Sequence, residues 1–261
     1  MKKTTLLTVL FALVIGSFAQ KDFQLGLHFS PNIGWLKPNG DNIEADGAKV
    51  GFNFGIIGDF NISDNYIFST GIQIVNTGFS LVKPDVQTFV DNSGTEVTGY
   101  GQTTSDVRLN YAEIPLTLKL RTNEIGYMKY FVKVGGGLGV NYRASADEEF
   151  TYTTVTTNGA TLSNEEVDYN DEINLFRASL IIGAGVEYNL SGNTSLIGGI
   201  TFNNGFTNIF SKDVHTSDGN GNAVIQPDAS GTTPLKASDT RRTESAKSIN
   251  NMIVLNIGIL F

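Results

Sequence analysis

Leu109-Asn110-Tyr111-Ala112-Glu113-Ile114-Pro115-Leu116-Thr117-Leu118-Lys119-Leu120-Arg121 alternates apolar and polar residues with period two. Side chains of an extended strand point to opposite faces in turn. Ala112, Ile114, Leu116, Leu118 and Leu120 therefore share one face, and Glu113, Thr117, Lys119 and Arg121 share the other. A strand with one wholly apolar face and one charged face belongs between two different environments.

Seven further segments read the same way. The first, from Phe23 to Trp35, sets Leu25, Leu27, Phe29 and Ile33 against Gln24, Gly26, His28 and Asn32. The next sets Val50, Phe52, Phe54, Ile56, Phe60 and Ile62 against Gly51, Asn53, Gly55, Asp59 and Asn61. Tyr66, Phe68, Ile72 and Ile74 oppose Ser69, Gly71 and Gln73. Beyond the opening stretch, Met128 to Tyr142 carries Lys129, Lys133, three alternate glycines, Asn141 and Arg143 opposite its apolar row. Phe176 to Tyr188 carries Arg177, Ser179, Gly183, Gly185 and Glu187 in the same way. Leu196, Ile200, Phe202 and Phe206 mark a seventh segment, and Ile253, Leu255, Ile257, Ile259 and Phe261 an eighth.

The connections alternate short with long. Residues 63–65, 122–126 and 191–193 are turns, whereas 37–47, 83–104, 145–171 and 212–246 read as long, polar, solvated loops. That alternation predicts an all-β fold: an eight-stranded antiparallel up-and-down transmembrane β-barrel, with both ends in the periplasm and four outer loops. A Lys or Arg facing lipid at mid-membrane costs roughly 2–4 kcal/mol, so the charged face is assigned to the lumen. Asp59, Glu113 and Glu187 there meet Lys119, Arg121, Lys129, Lys133, Arg143 and Arg177, a lumen ion network expected to pair and to fill a narrow barrel. Phe23, Phe60, Tyr66, Tyr130, Tyr188 and Phe261 fall at the periplasmic rim, and Phe52, Tyr142, Phe176 and Phe206 at the outer one, as interfacial girdles do.

Composition and the N-terminus agree. Lys2 and Lys3, an apolar run from Leu6 to Ile15 and Ser17-Phe18-Ala19 have the layout of a signal peptide over residues 1–19, leaving 20–261 as the barrel. With no cysteine, neither a lipid anchor nor a disulfide framework is available. After cleavage sixteen basic residues face 26 acidic ones, a charge near −10 that argues against nucleic acid as a partner.

Chemistry is sparse. His28 lies on the lumen face, where a hydrogen bond to Asp59 or Glu113 would give it the partner a general base needs; the alternative is a polar filler. His215 stands beside Asp213 in the longest loop. The acidic stretch at 145–172 and Asp218-Gly219-Asn220-Gly221-Asn222 raise the question of calcium, but the latter lacks the glutamate of a calcium loop. No catalytic residue, metal site or cofactor is assigned.

The strand Tyr111-Ala112-Glu113-Ile114-Pro115-Leu116 resembles the "Y-x-E-I-P-L" strand of Bacteroidetes outer-membrane barrels. Gly135-Gly136-Gly137-Leu138-Gly139-Val140 and Gly183-Ala184-Gly185-Val186-Glu187-Tyr188 are similar to glycine-rich strands of that group, and Phe23 to Pro38 resembles its PorT-like branch. The resemblance implies a non-enzymatic accessory of protein secretion by the type IX system. The alternative is a general structural or adhesive barrel, and a lipid-modifying hydrolase stands behind both. Expected partners are outer-membrane lipid and lipopolysaccharide, secretion-system proteins, and the barrel insertion machinery, for which Ile257, Ile259 and Phe261 would form the C-terminal insertion signal.

Overall fold

The computed structural model describes residues 23–39, 42–90, 96–152, 161–215 and 243–261; residues 1–19, expected as a signal peptide, lie outside them. Among these residues eight strands close a ring: β1 (Phe23–Pro38), β2 (Glu44–Ser63), β3 (Tyr66–Val90), β4 (Glu96–Arg121), β5 (Met128–Tyr152), β7 (Phe176–Ser191), β8 (Thr194–Gly205) and β11 (Ser248–Leu260). Three shorter strands stand outside the ring, namely β6 (Thr161–Asp168), which pairs with β5, and β9 (Asp213–His215), which pairs with β10 (Thr243–Ser245). Each ring strand is antiparallel to the next, and β11 returns to β1 in register from Gly26↔Leu260 to Pro38↔Ser248. Phe261 N–H donates to Leu25 O at 2.8 Å and Leu25 N–H to Phe261 O at 3.2 Å, sealing the seam.

The periplasmic turns are tight because their residues permit it. Gly126 (φ 67°) and Gly192 (φ 57°) adopt the left-handed conformation that a side chain disfavours, in the β4–β5 and β7–β8 turns. The assigned faces hold in the membrane zone. Leu27, Phe29, Phe54, Ile56, Ile72, Ile114, Leu116, Leu138, Ile182 and Leu255 are exposed outward, while Asn32, Asn53, Asp59, Glu113, Lys119 and Arg177 are buried inside. Tyr66, Tyr130, Tyr188 and Phe261 ring one end, with Phe52, Tyr142, Phe176 and Phe206 at the other, all exposed.

Two expectations need correction. The stretch 83–104 is not a solvated loop: β3 runs on to Val90 and β4 starts at Glu96, paired from Lys83↔Thr103 to Val90↔Glu96. Likewise 145–152 and 161–168 are paired strands, and the β1–β2 connection shrinks to 39–43. Of the 212–246 stretch only the two ends are described, as the β9–β10 pair; Asp218 to Asn222 lies outside the described residues. Nor is the lumen only a polar space. Val75, Phe79, Leu81, Val107, Leu109 and Tyr111 point inward and are buried in a hydrophobic core at the extracellular end. Ile173 and Phe210, joined by a β-bridge, fold into that mouth, where Phe210 meets Phe79 edge to face with ring centroids 6.2 Å apart. At the other end Phe131, Ile197 and Leu260 form a smaller apolar cluster inside the barrel, with Ile57 packed against it.

Candidate functional site

The lumen side chains come from neighbouring strands whose register stacks them into tiers. Gln73, Glu113, Gly139 and Arg177 are consecutive partners across β3, β4, β5 and β7, which brings one ion pair together. Arg177 Nη1 donates to Glu113 Oε2 at 2.8 Å and its Nη2 to Asn203 Oδ1 at 2.7 Å, and Gln73 Nε2 donates to Glu113 Oε1 at 2.7 Å. Arg177 also lies 5.7 Å from the centre of the Tyr111 ring. Gly137 leaves room for this tier, since a Cβ there would come within 3.0 Å of the Glu113 carboxyl.

A second tier lies towards the periplasm. Lys119 donates to Asp59 and, at 2.7 Å, to Glu187 Oε1; Arg121 Nη1 reaches Glu187 Oε2 at 3.1 Å. Both carboxylates are buried, and the Lys119 ammonium also sits 5.3 Å from the Phe131 ring centre. Pairing on this scale is what an enclosed charge requires, because an unpartnered ion in a low-dielectric interior is costly. Between the tiers lies a cavity of about 80 Å³ lined by His28, Lys133, Asn256, Thr201 and Thr117 among others.

Six of the nine residues expected in the network thus fall into these two tiers: Asp59, Glu113, Lys119, Arg121, Arg177 and Glu187. Lys133 is in the lumen, where among the described residues it reaches only Asn256 Oδ1, at 3.5 Å. Lys129 sits at the rim instead, 3.5 Å from Glu124 of the β4–β5 turn. Arg143 is exposed. The register passes from Tyr111↔Asn141 to Asn110↔Arg143, so Tyr142 is an extra residue, and this β-bulge turns Arg143 out of the lumen and Ala144 into it. His28 Nδ1 lies 3.2 Å from Ser30 Oγ and bonds neither Asp59 nor Glu113, so it lacks the carboxylate that would orient a general base. Ile257 and Phe261 are exposed outward and Ile259 is half-buried.

Above the membrane the charges form a different set. Burial works against the charge of Lys83, but Tyr169, Asp85 and Glu148 around it outweigh that and hold its ammonium protonated above the usual lysine range. Lys83 Nζ donates to Tyr169 Oη at 3.0 Å and lies 3.8 Å from Glu148. A second cavity of about 180 Å³ lies beside it, lined by Glu172, Lys212, Asp213 and His215 among others. Outside, Arg108 binds Asp147 through two hydrogen bonds of 2.7 and 2.9 Å, and Lys49 binds Asp106 at 2.7 Å. The acidic stretch after Tyr142 is therefore partly built into the wall: Glu148 faces inward towards Ser105 and Lys83, and Asp147 is paired. No group of three or more His, Asp or Glu side chains able to hold a metal occurs among the described residues. The sequence signal for this extracellular core was present in the odd-numbered row Val75 to Leu81 and Val107 to Tyr111, whose outward neighbours turn polar at Asn76, Asn110 and Arg108.

Solved structures resemble this barrel in outline. Neisserial surface protein A is 12% identical, with 90% of this chain and 95% of that one covered and a TM-score of 0.40. OprG of Pseudomonas aeruginosa is 9% identical, covering 92% and 94%, at a TM-score of 0.39. Ail of Yersinia pestis, solved with a heparin analogue, is 14% identical, covering 92% and 99%, at 0.37. At such values they carry no inference about activity. No curated protein sequence matches the chain. The model of the outer membrane protein beta-barrel domain matches residues 18–211, three quarters of the length. Together with the closed eight-stranded ring and its outward apolar wall, that match establishes the chain as a member of the outer membrane protein beta-barrel domain family, resident in the cell outer membrane.

Proposed function

We propose that this protein is a stoppered, non-enzymatic barrel that works through its extracellular rim, as a structural or adhesive element of the outer membrane. The observation that carries this reading is the distribution of its core: the lumen is filled by two ion-paired tiers, and the largest hydrophobic cluster lies beyond them at the extracellular end. A barrel built for transport would leave that end open, whereas here Ile173 and Phe210 are packed into it. Extending β3, β4 and β5 past the membrane and giving them their own core stiffens a rim for docking. Lipid and lipopolysaccharide contact the apolar wall and the outer ion pairs in this reading, and the insertion machinery takes the chain into the membrane.

Secretion by the type IX system rests on the sequence resemblance to the PorT-like branch, which the family match does not reach. A deletion strain separates the two readings. The expected result is an unchanged profile of secreted proteins with weakened surface attachment or envelope integrity. Exported proteins accumulating inside the cell, restored by complementation, would replace this reading with the secretion one. In planar bilayers the purified protein is expected to show no large, stable conductance steps, and their appearance would remove the stoppered lumen.

A further inference from the structure

The membrane-embedded lumen holds more positive charge than negative. Four cations, Lys119, Arg121, Lys133 and Arg177, face three carboxylates, Asp59, Glu113 and Glu187. The pairing leaves the surplus on Lys133. Lys119 engages both Asp59 and Glu187, Arg121 takes the second oxygen of Glu187, and Arg177 takes Glu113. Among the described residues no carboxylate lies within 4.0 Å of the Lys133 ammonium, which meets Asn256 Oδ1 at the limit of hydrogen bonding.

The register makes matters worse for Lys133. It stands directly opposite Lys119 on the neighbouring strand, both side chains inward, and like charges placed so repel. Turning Lys133 towards Asp59 Oδ1, which has no hydrogen-bond partner among the described residues, would not change the balance, since the Asp59 charge already offsets that of Lys119 through its other oxygen. The next acidic residue up β3 is Asp85, twelve residues beyond Gln73 and roughly 40 Å along the strand, and it belongs to the Lys83 set.

What Lys133 faces is the cavity of about 80 Å³ between the two tiers. Its wall offers the Thr201 hydroxyl and the Asn53 amide, together with the His28 ring; the Thr117 hydroxyl donates to Ser69 O and the Asn256 amide to Thr201 Oγ1. The lysine has been given space there. A Cβ on Gly183, its partner on β7, would come to 3.0 Å from the Lys133 Cε. We infer that this cavity is a binding site for a chloride-sized monovalent anion, held by the Lys133 ammonium with the Thr201 hydroxyl and the Asn53 amide as donors. Such an ion neutralises the lumen, screens Lys133 from Lys119 and fits a space of about 80 Å³. The inference is independent of how the rim is used.

The test is urea unfolding of the refolded full barrel in detergent micelles, followed by the fluorescence of Trp35, at constant ionic strength with chloride progressively replacing gluconate, an anion too large for the cavity. The wild-type midpoint is expected to rise with chloride and to saturate. Lys133→Met, which removes the surplus charge, is expected to show no chloride response, with a midpoint in gluconate at or above that of the wild type. A wild-type midpoint that ignores the salt overturns the site. A full chloride response retained by Lys133→Met overturns it as well. Anomalous scattering from wild-type crystals grown in bromide needs no variant: a peak beside Lys133 Nζ is expected, and its absence there overturns the assignment.

Discussion

Replacing Arg177 by methionine leaves one enclosed carboxylate without its cation. The Glu113 side chain is 0% exposed, and its only other described partner is the Gln73 amide at 2.7 Å. Removing one member of a buried pair typically costs about 3–5 kcal/mol, most of it from the charge left behind. The same substitution strands Asn203 Oδ1, worth about 1–3 kcal/mol, and gives up the contact over Tyr111, worth about 1 kcal/mol. A loss of at least about 5 kcal/mol is therefore expected for Arg177→Met, and one of about 4 kcal/mol for Glu113→Gln, which leaves the guanidinium without its counter-charge. In the double variant neither charge is present, the amide introduced at position 113 still bonds Gln73, and only the smaller terms remain. It should be more stable than either single variant, by roughly 2 kcal/mol. Urea unfolding in micelles reads this through Trp35, the single tryptophan, whose ring stacks on Phe202 at 6.2 Å and will lose that environment on unfolding. Additive losses, with the double variant less stable than both singles, would refute the view that this pair is a mutually dependent plug.

Two further outcomes test other parts of the structure. Gly135→Ala would put a Cβ 2.1 Å from Leu116 O and 2.6 Å from the Thr117 Cα, so it is expected to block closure of β4 on β5 and abolish the heat-modifiable folded band on gels; Gly198→Ala, with nothing within 4 Å of its Cβ, should fold normally. At the rim, the Arg108 guanidinium and the Glu166 N–H hold the Asp147 carboxyl below the usual carboxylate range. Because the folded value is the lower one, this contribution is present above about pH 4 and is lost as pH falls through the depressed value. Exchange protection of the Glu166 amide should therefore persist below about pH 4 and vanish only as pH falls through the depressed value, whereas in Arg108→Gln it should vanish nearer pH 4.

The barrel was legible because lipid imposes a strict rule on one face of every strand. Ile114, Leu116 and Leu118 alternate with Glu113, Thr117 and Lys119, with Pro115 the one residue of the inner row that is not polar. Past Ala112 the rule lapses. There the outer face meets water and carries Asn110, Arg108 and Asp106, while the inner face carries Tyr111, Leu109 and Val107, so the apolar row changes sides. In the sequence alone that inversion looks like the end of the strand. The β-bulge at Tyr142 was hidden for a related reason, because an extra residue flips every following side chain and puts Arg143 outside where simple counting puts it inside. The ion tiers were legible as a set of residues but not as pairs. Which cation meets which carboxylate depends on the stagger of strands around the ring, and only the closed register fixes that.

The length of β3 carries a consequence for reach. From Asn76, where its outer face turns polar, to Val90 it runs about 15 residues, or some 50 Å of chain. At the roughly 40° tilt of such strands that is a rise of about 38 Å, several times the thickness of the lipid headgroup layer. Barrels whose strands stop at the headgroups keep their loops beneath the saccharide coat of the cell. This wall carries Val90 and Glu96 far above the lipid on a hydrogen-bonded frame.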